Sequence, residues 1–394
     1  MIQKCLGVPF LVSLFLWISI SSFTACDDEV QQEIPLEESG YPDRTVLLYI
    51  IGDNSLSRYA DRNIDSIMSG IGRIHTTLNM LVYEDDYDDV PVLWKIERNK
   101  RGDVMKIPVK SYPEQDSADP EIMESILKEV FRTYPAKEKG LFLWSHGSGW
   151  LPSYTAVLPA GKKRAFGPDY TTFLEIWDLR NVLTNTEIHF DFLVFDACMM
   201  GSVEVAYELR HVTDYLIASP AEIMGLGFPY QLVIPVLGRT ELDLPGVCDA
   251  YMTFYNGNSG RDGTISLIRT ERLEALADCY GAILQEKNMD ELSDRVIQQM
   301  GRRIPFSTTD YRNIFYDLGD LVNNLVTPLA GSFRQEMERV VLQKRNTPRF
   351  ETFEIVRNSG LTVFIPELNT TDRYLQAYPY LQWYQATRQA SSSE

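Results

Sequence analysis

Cysteine is scarce in this chain. Five are spread over 394 residues, at positions 5, 26, 198, 248 and 279, too few and too scattered for a disulfide framework or a spaced zinc site, so each must be read individually. Histidine is scarcer, with four. Positive charge is also in short supply: 37 Lys and Arg against 55 Asp and Glu give a formal net charge of −18, and bulk electrostatics then disfavour a nucleic-acid partner. The chain lacks Gly-x-Ser-x-Gly, His-Glu-x-x-His, a phosphate loop and a dinucleotide fingerprint. Serine hydrolase, zinc protease, NTPase and dehydrogenase readings therefore have no support. There is no internal repeat or low-complexity tract, and no Pro/Gly/Ser-rich linker interrupts residues 44–390. What is present is ordinary globular composition, 44% hydrophobic and 23% charged, which excludes a disordered, collagenous or many-spanning membrane chain.

The one long apolar run lies at the start. Leu6 to Ala25 carries no charge, follows Lys4 and ends in small residues before Cys26, the pattern of a secretory signal. Phe23-Thr24-Ala25-Cys26 resembles the bacterial lipobox, in which the cysteine is lipidated; an uncleaved single anchor is the alternative. Asp27-Asp28-Glu29 resembles the acidic tags of surface-exported lipoproteins in gut Bacteroidota, and a solvated tether has the same composition. The expected organisation is a signal peptide over 1–25, lipidated Cys26, an acidic tether over 26–43 and one enlarged α/β domain over 44–390. That places the protein outside the cell, lipid-anchored to the outer membrane or cell surface.

Thr45 to Ile51 is a continuous β-prone run closed by Gly52-Asp53-Asn54, which predicts a strand covered on both faces. Ser57 can cap a following helix striped by Ile64, Ile67, Met68 and Ile71. Strands are expected at 78–83, 92–96, 142–145, 190–195 and 215–218. Helices are expected from Asp119-Pro120-Glu121 and near 171–183. Alternation of this kind predicts a mainly parallel sheet sandwiched by helices. The second half adds a strand at 264–268, several helices between about 271 and 342, and short strands at 353–356 and 361–366. The C-terminal half is thus helical and enlarged.

In a parallel sheet, ligand sites form at the carboxyl ends of strands. Two apolar runs end there in reactive residues: Leu141 to Ser145 leads into His146-Gly147, and Phe192 to Phe195 leads into Asp196-Ala197-Cys198. A thiolate is the attacking species in cysteine catalysis, and Cys198 has His146 and the start of a helix expected over 201–210 to lower its pKa. The backbone N–H groups of Gly147 and Cys198 can form an oxyanion hole. Cys248 and Cys279 fall in helical stretches as fillers. His75, His189 and His211 have structural reasons to be where they are, which leaves His146 as base and acid.

These two motifs resemble the caspase-like cysteine endopeptidases, a group that includes gingipain, legumain and the caspases. The clostripain family is the closer match. Gly52-Asp53-Asn54, Ala218-Ser219 followed by Gly227-Phe228-Pro229-Tyr230, Asp317-Leu318-Gly319 and Gly360 to Pro366 all look like landmarks of that family, in order. The resemblance implies a caspase-like fold and cleavage after Arg or Lys by a Cys198/His146 dyad, and because cysteine is already partly ionised near neutral pH no third member is required. Asp196, two residues before Cys198 and expected on the same strand, would floor the P1 pocket. Lys162, Lys163 and Arg164 lie in the segment from Pro152 to Gly167, between the two reactive strands, and are the expected self-cleavage positions of a zymogen. The product would be a monomer of two chains acting on proteins or peptides with Arg or Lys at P1, needing no cofactor. Calcium is a second option, because Glu84 to Asp89 supplies five carboxylates, although a solvated acidic turn fits the order of that run better. Arg101-Gly102-Asp103 has no adhesive meaning. A competing reading keeps the same fold without catalysis, as a surface binding module.

Overall fold

The computed structural model describes residues 41–388 except 75–77, 154–165, 170–171, 257–259, 288, 290–291, 293–296, 301–303, 306–310 and 370. The fold is built around the Arg44–Gly52 strand, every residue of which is buried. Its side chains alternate between two separate cores. Leu47, Tyr49 and Ile51 enter one, while Val46, Leu48 and Ile50 enter the other, which is why this strand reads as unbroken apolar sequence rather than as alternation.

Nine strands form the sheet, in the order Val341–Asn346, Thr264–Arg269, Thr213–Ala218, Phe190–Asp196, Glu138–Trp144, Arg44–Gly52, Leu78–Asp86, Val92–Arg98 and Val104–Ser111. The five central strands, from Thr213–Ala218 to Leu78–Asp86, pair in parallel. Two antiparallel strands are added at each edge. Helices Ser57–Ile71, Tyr230–Leu237 and Leu244–Asn256 cover one face. Pro120–Thr133, Ile176–Asn185, Val203–Glu208, Leu273–Glu286, Ala330–Val340 and Gln382–Arg388 cover the other. The caspase-like α/β sandwich expected from the sequence is therefore what the chain adopts.

The chain leaves Arg44–Gly52 through a helix on one face to reach Leu78–Asp86. It later returns to the opposite side of that strand, at Glu138–Trp144, through a helix on the other face. Glu138–Trp144 leads on to Ile176–Asn185, also on that other face, so the chain leaves the carboxyl ends of these two adjacent strands toward opposite faces, the topological switch point of the sheet.

Several local expectations need correction. Ser57 does not cap its helix but is its first residue; Asn54 takes the turn instead, its Oδ1 accepting from Leu56 N at 2.9 Å. The helix placed near 171–183 begins at Ile176, since Thr172–Leu174 pairs as a strand with Phe166–Asp169. The helical reading up to 342 overran, because Val341–Asn346 is an edge strand of the sheet. Phe353 and Glu354 belong to a small hairpin with Arg349–Phe350, apart from the main sheet. The acidic run is no plain solvated turn either. Glu84 and Asp85 are buried within Leu78–Asp86, and Glu84 meets Lys106 at 3.0 Å.

Candidate active site

Glu138–Trp144 and Phe190–Asp196 are adjacent and in register, with Trp144 opposite Asp196. Residues just beyond their carboxyl ends therefore share one end of the sheet. Ser145 prolongs the pairing, its N–H donating to Asp196 O at 3.4 Å, and its hydroxyl donates to Ile51 O at 2.8 Å. His146 follows, half-buried, with Nε2 2.9 Å from Ser55 Oγ. Burial holds its pKa below the ordinary imidazole value, favouring the neutral, proton-accepting form near neutral pH.

Cys198 is half-buried on the turn after Asp196, before Met199, whose φ is 60°. The Cys198 thiol accepts from Ile223 N at 3.3 Å and donates to Ile223 O at 3.6 Å. Gly147 lies against this turn: a Cβ there would come within 2.5 Å of Cys198 O and 3.0 Å of Cys198 N. Only glycine lets the two backbones approach so closely. The helix expected over 201–210 is shorter, Val203–Glu208, capped by Ser202 through Val205 N. A helix of under two turns carries a weak macrodipole, so the electrostatic help expected from it is small.

Asp196 closes its strand, and the strand stops there. The two-residue period thus does not relate it to Cys198, as expected from the sequence; the intervening turn brings both to one cleft. The Asp196 carboxylate is buried, with Oδ2 accepting from Phe228 N and from Tyr230 Oη, each at 2.9 Å. Burial outweighs these donors and pushes its pKa up to about 6. Gly227, at φ 64°, packs over it, since a Cβ there would lie 2.7 Å from Oδ2.

His146, Asp196 and Cys198 line one cleft of about 380 Å³, together with Trp144, Glu222 and Glu351. A separate cleft of about 310 Å³, bordered by Asp317, Asp320 and Arg357, holds no cysteine or histidine. The other described thiols are away from the site: Cys248 is buried in Leu244–Asn256, and Cys279 sits in Leu273–Glu286 with its pKa raised by burial. His189 bonds Asp214 at 2.7 Å, and His211 stands 3.7 Å from Glu274. Ser55, Ile223 and Tyr230 were not legible as site residues. Ser55 stands directly after the Gly52-Asp53-Asn54 strand end and Tyr230 closes the Gly227-Phe228-Pro229-Tyr230 landmark, whereas Ile223 carries no signal. Cys26, Lys162, Lys163 and Arg164 lie outside the described residues.

A family model described as the clostripain family matches residues 48–393. The fold is similar to that of an inactive zymogen C11 protease from Parabacteroides distasonis, 32% identical, with a TM-score of 0.76 over 88% of this chain and 98% of that one. It is also similar to a secreted C11 cysteine protease from Bacteroides thetaiotaomicron in complex with an irreversible peptide inhibitor, 29% identical, TM-score 0.77, covering 89% and 100%. Clostripain from Hathewaya histolytica is 22% identical over 387 residues, covering 89% of this chain and 66% of that protein. The chain thus spans just under two thirds of that relative's length. On the family match over nearly the whole described fold, the chain belongs to the clostripain family of C11 cysteine proteases.

Proposed function

We infer that the protein is a cysteine endopeptidase in which Cys198 attacks the scissile carbonyl and His146 manages the proton. The observation that carries this is the placement of both residues in one cleft, just beyond the carboxyl ends of two paired parallel strands. His146 takes the thiol proton, the thiolate adds to the carbonyl carbon, and the imidazolium returns the proton to the leaving amine. Water then hydrolyses the acyl-enzyme. The backbone N–H groups of Gly147 and Cys198 stabilise the oxyanion. This chemistry uses no cofactor. Membership of the family and the peptide-inhibitor complex of a similar protease support the assignment.

Asp196 selects Arg or Lys at P1. Asp196 is among the residues that line the cleft holding Cys198, and a cationic P1 side chain that reached its buried carboxylate would supply the charge that burial denies it. The protein is made as a precursor and cut at Lys162, Lys163 or Arg164, giving two chains that stay together. The contacts between the Cys198 thiol and the Ile223 main chain support a resting form, and one similar structure is an inactive zymogen. A signal peptide over 1–25 and lipidation of Cys26 would deliver the enzyme outside the cell on the 26–43 tether, and a similar protease is secreted. Among the described residues no helix is long and apolar enough to cross a membrane.

The test is a fluorogenic peptide panel varied at P1, run on wild type, Cys198→Ala and Asp196→Ala, with each protein also examined on a denaturing gel. Wild type should cleave after Arg or Lys and appear as two fragments, while Cys198→Ala should be inactive and intact. Asp196→Ala should lose roughly two decades or more of the Arg/Lys preference, the scale of an unpaired buried charge. Unchanged cleavage after Arg in that variant would refute the pocket assignment.

A further inference from the structure

The loop after the central strand contributes no base to the cleft, yet it reaches the histidine. Ser55 Oγ lies 2.9 Å from His146 Nε2, and both residues are held from behind. On the Ser55 side, Asn54 Nδ2 donates to Ile51 O at 2.9 Å, and Asn54 Oδ1 accepts from Leu56 N at 2.9 Å. Asn54 N donates to Gly52 O at 2.7 Å, and Ser57 N donates to Asn54 O at 3.1 Å. On the His146 side, Ser145 Oγ donates to the same Ile51 carbonyl at 2.8 Å and lies 3.4 Å from Asn54 Nδ2. One network therefore ties together the two strand ends that flank the switch point. Ser55 and His146 project from its two sides.

Which nitrogen of an imidazole carries the proton is set by the hydrogen bond its other nitrogen makes. We propose that Ser55 is a positioning residue for His146, its hydroxyl oxygen accepting Nε2–H so that Nδ1 is the nitrogen that exchanges protons with Cys198 and the leaving amine. The inference rests on the dyad reading above. In the neutral ring the hydrogen stays on Nε2 and the lone pair on Nδ1 accepts the thiol proton. In the imidazolium, Nε2–H keeps an acceptor in a half-buried position, and Nδ1–H passes to the departing nitrogen. Ser55 itself gains and loses no proton.

A hydroxyl acceptor on an exposed loop makes a modest contribution, so Ser55→Ala should lower kcat about three- to tenfold with little change in KM. The acid limb of its pH–rate profile, where His146 loses its proton and becomes the base, should move to lower pH, because the imidazolium has lost an acceptor. The other titratable groups on this cleft are Cys198, Asp196 at the neighbouring strand end, Glu222 on the segment crossing the thiol and Glu351 on the small hairpin. Asp53 adjoins on the Ser55 loop. All of these remain in the variant, so a moved limb reports the missing hydroxyl. Ser55→Thr keeps the oxygen and should recover most of the rate and the wild-type limb.

The kinetics are to be measured on purified, processed wild type, both Ser55 variants and His146→Ala, with thermal melts to verify folding. A reduced kcat with a shifted limb in Ser55→Ala, corrected in Ser55→Thr, supports the assignment. An inactive His146→Ala beside a Ser55→Ala that matches wild type in rate and pH profile overturns the Ser55 role alone. Equal losses in both Ser55 variants with an unmoved limb overturn it too, since the oxygen is then irrelevant. A His146→Ala protein that turns over at the wild-type rate overturns the dyad, and the Ser55 role with it.

Discussion

Glu204 sits at the start of a buried helix with no solvent exposure, its Oε1 accepting from Phe364 N at 2.8 Å and Tyr378 Oη at 3.3 Å. Burial is the larger influence and pushes its pKa up to about 7. A carboxyl whose folded pKa is raised binds its proton more tightly in the native state. Its favourable contribution is complete below the ordinary value of about 4.5 and is lost as pH rises through about 7. Glu204→Gln keeps an oxygen acceptor and cannot ionise. Between pH 5 and 8 the wild-type melting temperature should therefore fall by a few degrees relative to the variant, on the scale of about 1–2 °C per kcal/mol for a folded domain of this size. Parallel melting curves for the two proteins would show that Glu204 does not titrate in that range. Sequence could place His146 and Cys198 because each terminates an apolar run. It could not place Glu204, or the Phe228 and Tyr230 donors to Asp196, because those partners are distant in the chain and meet only through packing.

At the level of elements, the site depends on the close fit of the two strands that precede it. Gly140 pairs with Phe192, and the Phe192 ring lies across the glycine: a Cβ at position 140 would meet ring atoms at 2.1, 2.5 and 2.7 Å. The same ring meets Phe142 edge-on at 6.3 Å between centroids. Gly140→Ala must displace this ring from its packing, at a cost of about 1–3 kcal/mol, read as a lower urea midpoint. An unchanged midpoint would mean that the ring relocates without penalty. The five parallel strands were legible because burial on both faces demands continuous apolar sequence. Val104–Ser111 carries no such signal, since it is an edge strand with mostly half-exposed or exposed side chains, including Lys106 and Lys110. Val341–Asn346 is hidden for the same reason, and the helical expectation runs onto its first two residues: exposed Lys344 and Arg345 leave no apolar run to mark it. The helix start at Asp119-Pro120 is legible because the cap is local, with Asp119 Oδ1 accepting from Glu121 N at 2.8 Å.

For the molecule as a whole, the sheet order explains why a histidine and a cysteine 52 positions apart line one cleft: each follows one of two paired parallel strands near the switch point. The strand-end motifs make this placement readable, whereas the two outermost strands, Val104–Ser111 and Val341–Asn346, become visible only in the fold. The central claim is that Cys198 is the nucleophile and that His146 activates it. The most direct measurement treats wild type and His146→Ala at neutral pH with an irreversible thiol-directed peptide ending in Arg or Lys, and maps the adduct by mass spectrometry. The expected result is a single adduct on Cys198 in wild type, formed in step with loss of activity, with Cys248 and Cys279 unmodified and labelling strongly slowed in His146→Ala. Inactivation that follows an adduct on Cys248 or Cys279, or full activity surviving complete modification of Cys198, would contradict it.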